Sequence, residues 1–277
     1  SMLWSQTLWA LPQDGTVVGG SSTISQPNST TMQINQTTDK SIINWQGYSI
    51  GANEKVQYTQ PGSGSVSLNR VVGQDPSLIY GQLSANGQVW VINPNGLLIG
   101  NGASINVGSF LGSTLNINDN DFMNGNYKFI NTTGSLSSIT NKGNINAADG
   151  GYVVLISPSI TNEGNITTNS GKTYLASADE VTLNFAGNDL IGFTIDKATA
   201  EGVIASESQT GITNKGTITA DGGQVILSAK AAGDLLKTVI NNEGIIQAQT
   251  IEDRSGKIYL LGGMENNAIN VGGTLDA

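Results

Sequence analysis

Carboxylates are the side chains of this sequence that could do covalent or metal chemistry, and few of them cluster. Asp119 and Asp121 stand two apart in Asn118-Asp-Asn-Asp-Phe-Met-Asn-Gly125. Such a pair could act as general acid and base on a glycosidic bond, or ligate a hard cation. The calcium-loop pattern fails, because Met123 stands where an oxygen ligand belongs and the glycine comes one place late. The stretch therefore reads as a solvated loop. Asp149 and Asp221 lie in Ala-Asp-Gly-Gly corners and read as turn residues. Glu252, Asp253 and Arg254 form a short charged corner. With no cysteine and no histidine, thiolate nucleophiles, disulfides, zinc sites and imidazole bases are excluded. No glycine-rich phosphate loop leads from a strand into a helix. The chain is expected to be no enzyme, with no catalytic residue, no metal and no cofactor.

The remaining chemistry is hydrogen bonding by amides, and one stretch concentrates it. Asn93-Pro94-Asn95-Gly96 lies between two short apolar runs, Val89–Ile92 and Leu97–Ile99. Pro94 fixes φ and lacks an N–H, which suits the second position of a β-turn. Asn95 and Gly96 tolerate left-handed backbone. The side chains of Asn93 and Asn95 can bond backbone groups that a turn leaves unpaired. The unit reads as strand, corner, strand.

The elements that carry this corner follow from composition and repetition. Charged residues make up 12%, against 36 glycines, which resists helix and suits short strands with tight turns. Expected strands include Ser41–Trp45, Tyr48–Ile50, Lys55–Gln60, Ser65–Val71, Ser77–Leu83, Gln88–Ile92, Leu97–Ile99, Ser104–Val107 and Ser113–Ile117. Four segments then align: Ile139–Ile145, Ile160–Ile166, Ile212–Ile218 and Ile240–Ile246, each of the form Ile-x-Asn-x-Gly-x-Ile. A repeat of roughly 20 residues with Gly/Asn corners and no helical period indicates a parallel β-solenoid. The isoleucines are expected to form ladders inside it. Asn141, Asn162, Asn214 and Asn242 are expected to stack amide to amide at one corner. Val181–Phe185 and Ile191–Ile195 read as a hairpin outside the solenoid. Trp4, Trp9, Trp45, Trp90 and Tyr48 lie in apolar runs and read as core or cap packing. The net charge of −9 has no basic cluster beside it, so nucleic acid is no expected partner.

Gly81-Gln-Leu-Ser-Ala-Asn-Gly-Gln-Val-Trp-Val-Ile-Asn-Pro-Asn-Gly-Leu-Leu-Ile-Gly100 closely resembles the secretion domain of two-partner-secretion exoproteins, the filamentous-haemagglutinin-like family of Gram-negative bacteria. Leu11-Pro-Gln-Asp-Gly-Thr-Val-Val18, Ser67-Leu-Asn-Arg-Val-Val72 and Gly102-Ala-Ser-Ile-Asn-Val-Gly108 resemble it too, in the same order. The family's second Asn-Pro-Asn motif has no clear match. The resemblance implies a right-handed parallel β-helix; the strand-patterned, apolar start of the chain adds an N-terminal β cap and the off-pattern stretches add extra-helical hairpins, an all-β fold. Asn93, Pro94, Asn95 and Gly96 match its secretion motif, and Asn69 and Arg70 its Asn-Arg motif. It also implies a partner: an outer-membrane β-barrel transporter that binds the unfolded domain in the periplasm and exports it. The domain then folds outside and nucleates folding of the exoprotein behind it. The expected location is thus the cell surface or medium.

On this reading residues 1–2 are an expression scar, 3–40 an N-terminal cap, and 41–277 the β-helix. Extra-helical insertions fall near 119–130 and 179–209. The whole is one domain, a fragment of a longer exoprotein. The alternative function is an adhesin or ligand-binding β-helix acting directly on host or neighbouring-cell surfaces.

Overall fold

The computed structural model describes residues 11–199, 211–230, 238–263 and 268–277. Three long sheets wrap one axis and form a parallel β-helix. A typical coil runs from Asn144–Ala147 in the third sheet to Tyr152–Ile156 in the first and Ser159–Asn162 in the second. It then re-enters the third sheet at Asn165–Thr167, directly beside its starting strand. Among the described residues the first sheet has nine strands, from Thr16–Gly19 to Lys257–Leu261. The second has seven and the third ten. Pairing within them is parallel except at the N-terminal end. There Thr16–Gly19 runs antiparallel to Lys40–Trp45, and Ser22–Asn28 antiparallel to Thr31–Gln36. These two strands close the first and third sheets, so the opening coil leaves less bare edge.

Register follows the repeat seen in sequence. Ile139, Ile160, Ile212 and Ile240 are paired in turn, as are Ile145, Ile166, Ile218 and Ile246. All eight are fully buried in the interior core. The neighbouring asparagines form the expected ladder. Asn141 donates to Asn162 at 2.8 Å, Asn162 to Asn214 at 2.8 Å, and Asn214 to Asn242 at 2.7 Å. The glycine two places on is required by close approach: a Cβ on Gly164 would lie 2.2 Å from the carbonyl oxygen of Gly143. Asn162→Ala breaks two ladder bonds at a fully buried position and leaves Asn141 and Asn214 each short of a partner. The expected loss is about 2–3 kcal/mol, read as a shift of the urea midpoint. Asn165→Ala, on the exposed Asn144–Asn165 pair, is expected to cost under about 0.5 kcal/mol.

A second core lies outside the first sheet. Its strands are buried on both faces, as the unbroken apolar runs Val89–Ile92 and Tyr152–Ile156 require. Ile42, Leu68, Trp90, Ile92, Leu111, Val154 and Tyr174 face outward into a separate apolar cluster with Phe122, Phe129, Val181, Leu183 and Ile195. The cover is a three-stranded antiparallel sheet of Lys128–Ile130, Glu180–Ala186 and Asp189–Lys197.

Several local expectations are corrected. Asp119–Asn124 is an α-helix, not a solvated loop. Asn118 caps it by accepting from the N–H groups of Asn120 and Asp121, and Phe122 is driven into the outer core. Tyr48–Ile50 is no strand; only Ile50 bridges to Ile79, while Tyr48 turns its ring inward. Ser77–Leu83 is two strands, Ser77–Ile79 and Gln82–Ala85, separated by a coil corner at Tyr80-Gly81. The strand expected at Ser113–Ile117 instead spans Ser109–Ser113. Ser113 Oγ bonds both the N–H and the carbonyl of Leu115, at 2.9 and 2.8 Å, and turns the chain off the solenoid. Trp4 and Trp9 lie outside the described residues.

Candidate functional site: an amide-stapled corner and the Asn-Arg pair beneath it

Asn93–Gly96 joins the first sheet to the second. Gly96 N–H donates to the Asn93 carbonyl at 3.1 Å, closing a β-turn with Pro94 at its second position. The Asn93 side chain is fully buried and fully used. Its Nδ2 donates to the carbonyl of Asp75 and to Ser77 Oγ, both at 3.0 Å. Its Oδ1 accepts from the backbone N–H of Asn95 at 2.9 Å and from Asn95 Nδ2 at 3.0 Å. Asn95 Nδ2 also reaches the Gly73 carbonyl at 2.9 Å. The two amides therefore staple this corner to the Gly73–Ser77 corner of the preceding coil. On the other side Ser135 Oγ donates to the Pro94 carbonyl at 3.1 Å.

Gly96 sits at φ 115°. A Cβ there would meet Ser138 O at 3.4 Å and Pro76 Cβ at 3.8 Å, which is ordinary contact. The cost of substitution is thus the backbone strain alone, about 1–2 kcal/mol. Thermal melting of Gly96→Ala is expected to show that loss, while a Thr→Ala change at exposed Thr132 leaves the midpoint in place.

Asn69 and Arg70 are neighbours in chain but face opposite sides of the first sheet. Asn69 points into the solenoid, fully buried. It accepts from Trp45 Nε1 at 3.0 Å and Tyr58 OH at 2.8 Å, and donates to the Ser67 and Trp90 carbonyls. Tyr58 and Tyr48 share a 2.8 Å hydroxyl contact. Burial raises both phenols well above their ordinary value, and at Tyr58 the Tyr48 hydroxyl adds to the rise. Arg70 points outward under the short helix. Its Nε donates to Asn116 Oδ1 at 2.8 Å and one terminal nitrogen to the Ile117 carbonyl at 2.7 Å. The other terminal nitrogen reaches Asn44 Oδ1 at 3.2 Å and pairs with Asp119 at 2.7 Å. Asp119, set aside as a catalytic candidate, is the anion of this clamp. Lys40 completes it by donating to the Phe122 and Met123 carbonyls at the helix C-terminus.

The structure brings Asn93, Asn95 and Gly96 into one corner and sets Arg70 beside Ile92, one strand over. It does not bring Asn69 and Arg70 onto a common surface. Sequence reading missed Gly73, Asp75, Ser77 and Ser135, which complete the staple. Two of them, Gly73 and Asp75, contribute backbone carbonyls that no side-chain pattern marks. Among the described residues no three His, Cys, Asp or Glu side chains converge on a metal position.

Burial gives the buried phenols a measurable consequence. Tyr152 is raised by burial, and Tyr174 is pushed up to about 12 for the same reason. Above about pH 10 the unfolded phenols ionise while the folded ones stay neutral, so the unfolded state binds fewer protons and stability falls. Each of Tyr48, Tyr58, Tyr152 and Tyr174 then removes about 1.4 kcal/mol per pH unit until its folded value is reached. Urea midpoints are expected to hold steady up to about pH 9.5 and drop steeply by about pH 11. An unchanged midpoint across that interval is the contrary result.

A three-faced parallel β-helix closed by antiparallel strands at its N-terminal end, with an external antiparallel sheet and an Asn-Pro-Asn-Gly corner, defines a capped β-solenoid domain. The family model for the TPS secretion domain, the secretion domain of two-partner systems, matches residues 10–276, and the chain belongs to that family. Proteins of this family are secreted by Gram-negative bacteria through a partner outer-membrane transporter. Relatives include a heme/hemopexin-binding protein of Haemophilus influenzae strain Rd, 35% identical over 259 residues. That alignment covers 90% of this chain and 27% of the relative. A second heme/hemopexin-binding protein of Haemophilus influenzae is 31% identical over 272 residues, covering 90% and 28%. The chain thus spans about a quarter of the length of these relatives. The crystal structure of the HMW1 secretion domain from Haemophilus influenzae superposes with a TM-score of 0.80 at 32% identity, covering 95% of this chain and 66% of that one. The filamentous hemagglutinin secretion domain gives 0.61 at 15% identity, with 96% of each chain covered, and speaks to the fold alone.

Proposed function

We propose that the periplasmic domains of a partner β-barrel transporter recognise this domain as an extended chain, and that Asn93, Pro94, Asn95, Gly96, Asn69 and Arg70 carry the signal. The observation behind this reading is burial. In the folded β-helix Asn69 and Asn93 expose nothing, Arg70 is 8% exposed and Gly96 is buried, while Pro94 and Asn95 are half-buried, so a partner can read the whole set only before folding. Extended segments suit recognition by strand addition. The absence of cysteine leaves no disulfide to obstruct threading. After export Asn93–Gly96 serve as the corner staple, Arg70 as the helix clamp and Asn69 as the interior partner of Trp45 and Tyr58.

We further propose that the folded domain nucleates β-helix folding at the cell surface. Each coil pairs in register with the one before it, as Ile139, Ile160, Ile212 and Ile240 do. A finished coil offers backbone donors, acceptors and apolar side chains to a further coil. The second reading, direct binding of a ligand, is favoured only by the names of the relatives. This chain offers heme iron neither imidazole nor thiolate.

The test is expression behind a signal peptide, with and without the cognate transporter. Transporter-dependent appearance of folded domain in the medium supports the reading. Retention in the periplasm beside a transporter that exports its full-length substrate overturns it, and binding of the isolated domain to heme, hemopexin or host cells would then take precedence.

A further inference from the structure

The sequence holds four Asn-Gly pairs: Asn86-Gly87, Asn95-Gly96, Asn101-Gly102 and Asn124-Gly125. All four lie among the described residues. In such a pair the glycine amide nitrogen can attack the asparagine side-chain carbonyl. A bond forms from the Gly nitrogen to Asn Cγ, the Cγ–Nδ2 bond breaks, and ammonia leaves with the amide proton. Water then opens the cyclic imide to aspartate or isoaspartate. The reaction needs a side-chain amide free to rotate, a glycine N–H free to lose its proton, and room around the glycine.

Three pairs lack these freedoms. Asn86 accepts from Gln60 N–H and donates to the Gln60 carbonyl, both at 2.8 Å, and Gly87 N–H is bonded to Gln60 Oε1 at 3.1 Å. Asn95 is held by Gly73 and Asn93, and Gly96 N–H by the Asn93 carbonyl. Asn124 is exposed, but Gly125 N–H is bonded to the Phe122 carbonyl at 3.2 Å at the end of the helix. Asn101-Gly102 differs at every point. It forms the tip of the turn closed by Ala103 N–H on the Gly100 carbonyl at 3.1 Å. Both residues are exposed, and neither the Asn101 amide nor the Gly102 N–H has a protein partner. Nothing lies within 4 Å of where a Gly102 Cβ would stand.

We propose that Asn101 is the deamidation site of the folded domain, and that folding protects the other three pairs. Modification at this corner places an added negative charge four residues beyond the Leu97–Ile99 strand's start, outside both cores. It also follows that Asn95 is chemically vulnerable only in the unfolded chain, so folding seals the corner against loss of its amide.

The test uses the wild-type domain, incubated at mildly alkaline pH both folded and in urea, with peptide mapping by mass spectrometry. The readout is the mass gain of amide-to-acid conversion, with chromatographic separation of the isoaspartyl form. In the folded protein Asn101 is expected to react at least roughly tenfold faster than Asn86, Asn95 or Asn124, since each of those must first break hydrogen bonds. In urea the four rates converge. If Asn101 stays intact in the folded protein while it converts in urea, or if the other three keep pace with it in the folded state, the assignment is wrong. Gly102→Ala gives a second reading, because a methyl beside the attacking nitrogen slows the site in either state.

Discussion

Trp90→Ala is expected to cost about 3–5 kcal/mol and to loosen the external sheet before the solenoid. Trp90 is fully buried on the outer face of the first sheet. Its ring centroid lies 5.4 Å from Phe122, 5.2 Å from Tyr127 and 5.9 Å from Phe129, mostly edge to face. Its Nε1 donates to Tyr152 OH at 2.8 Å, and that hydroxyl donates on to Gln88 Oε1 at 2.5 Å. Truncation removes the ring that packs the helix and the Lys128–Ile130 strand onto the body, and Tyr127 carries that packing on to Phe185 of the hairpin. The interior ladders do not touch it. Hydrogen exchange therefore distinguishes the two cores. The amides of 181–195 and 128–130 are expected to lose protection, while those of Ile160 and Ile212 keep theirs. Leu155→Ala, in the interior core, is expected to do the reverse: comparable loss of stability, with the coils themselves opened. Uniform loss of protection in Trp90→Ala would show a single cooperative core instead of two.

The difference between what the sequence revealed and what it hid follows the range of the interactions. The β-helix and its asparagine ladder were legible because a stacked coil repeats its own neighbours. Asn141 meets Asn162 for the same reason that Ile139 meets Ile160. The Asn93–Gly96 turn was legible because Pro94 and Gly96 impose local backbone conformations. The outer core was only half visible: Val89–Ile92 reads as buried on both faces, yet nothing in it names the hairpin that covers it. The helix at Asp119–Asn124 was missed because six residues carry too little period, and its stability comes from Phe122 packing and from Lys40 and Arg70, far away in sequence. Asn69 and Arg70 match a single Asn-Arg motif in the sequence. They are a buried pair serving two different cores, which alternation along a strand makes possible.

The hydrogen bonding of the Asn93–Gly96 corner sets up the second large effect. Asn95→Ala is expected to abolish transporter-dependent secretion while costing the folded domain only about 1–2 kcal/mol, the loss of its bonds to Gly73 and Asn93. Ser77→Ala is the matched control. Ser77 is fully buried and accepts from Asn93 Nδ2 at 3.0 Å, so its removal weakens the same staple by a similar amount. It lies outside the Asn-Pro-Asn-Gly sequence, so a transporter reading the extended chain does not miss it. Urea midpoints of the two purified variants should fall together. Their levels in the medium should part, with Ser77→Ala near wild type and Asn95→Ala at the level seen without transporter. The logic rests on timing: Asn95 is half-buried and its amide is bonded to Gly73 and Asn93 once folded, so it is free to act as a signal while the chain is extended, whereas the staple acts only afterwards. If secretion of the two variants instead tracks their stability, the corner acts through the fold, and export depends on how readily the coils close outside the membrane.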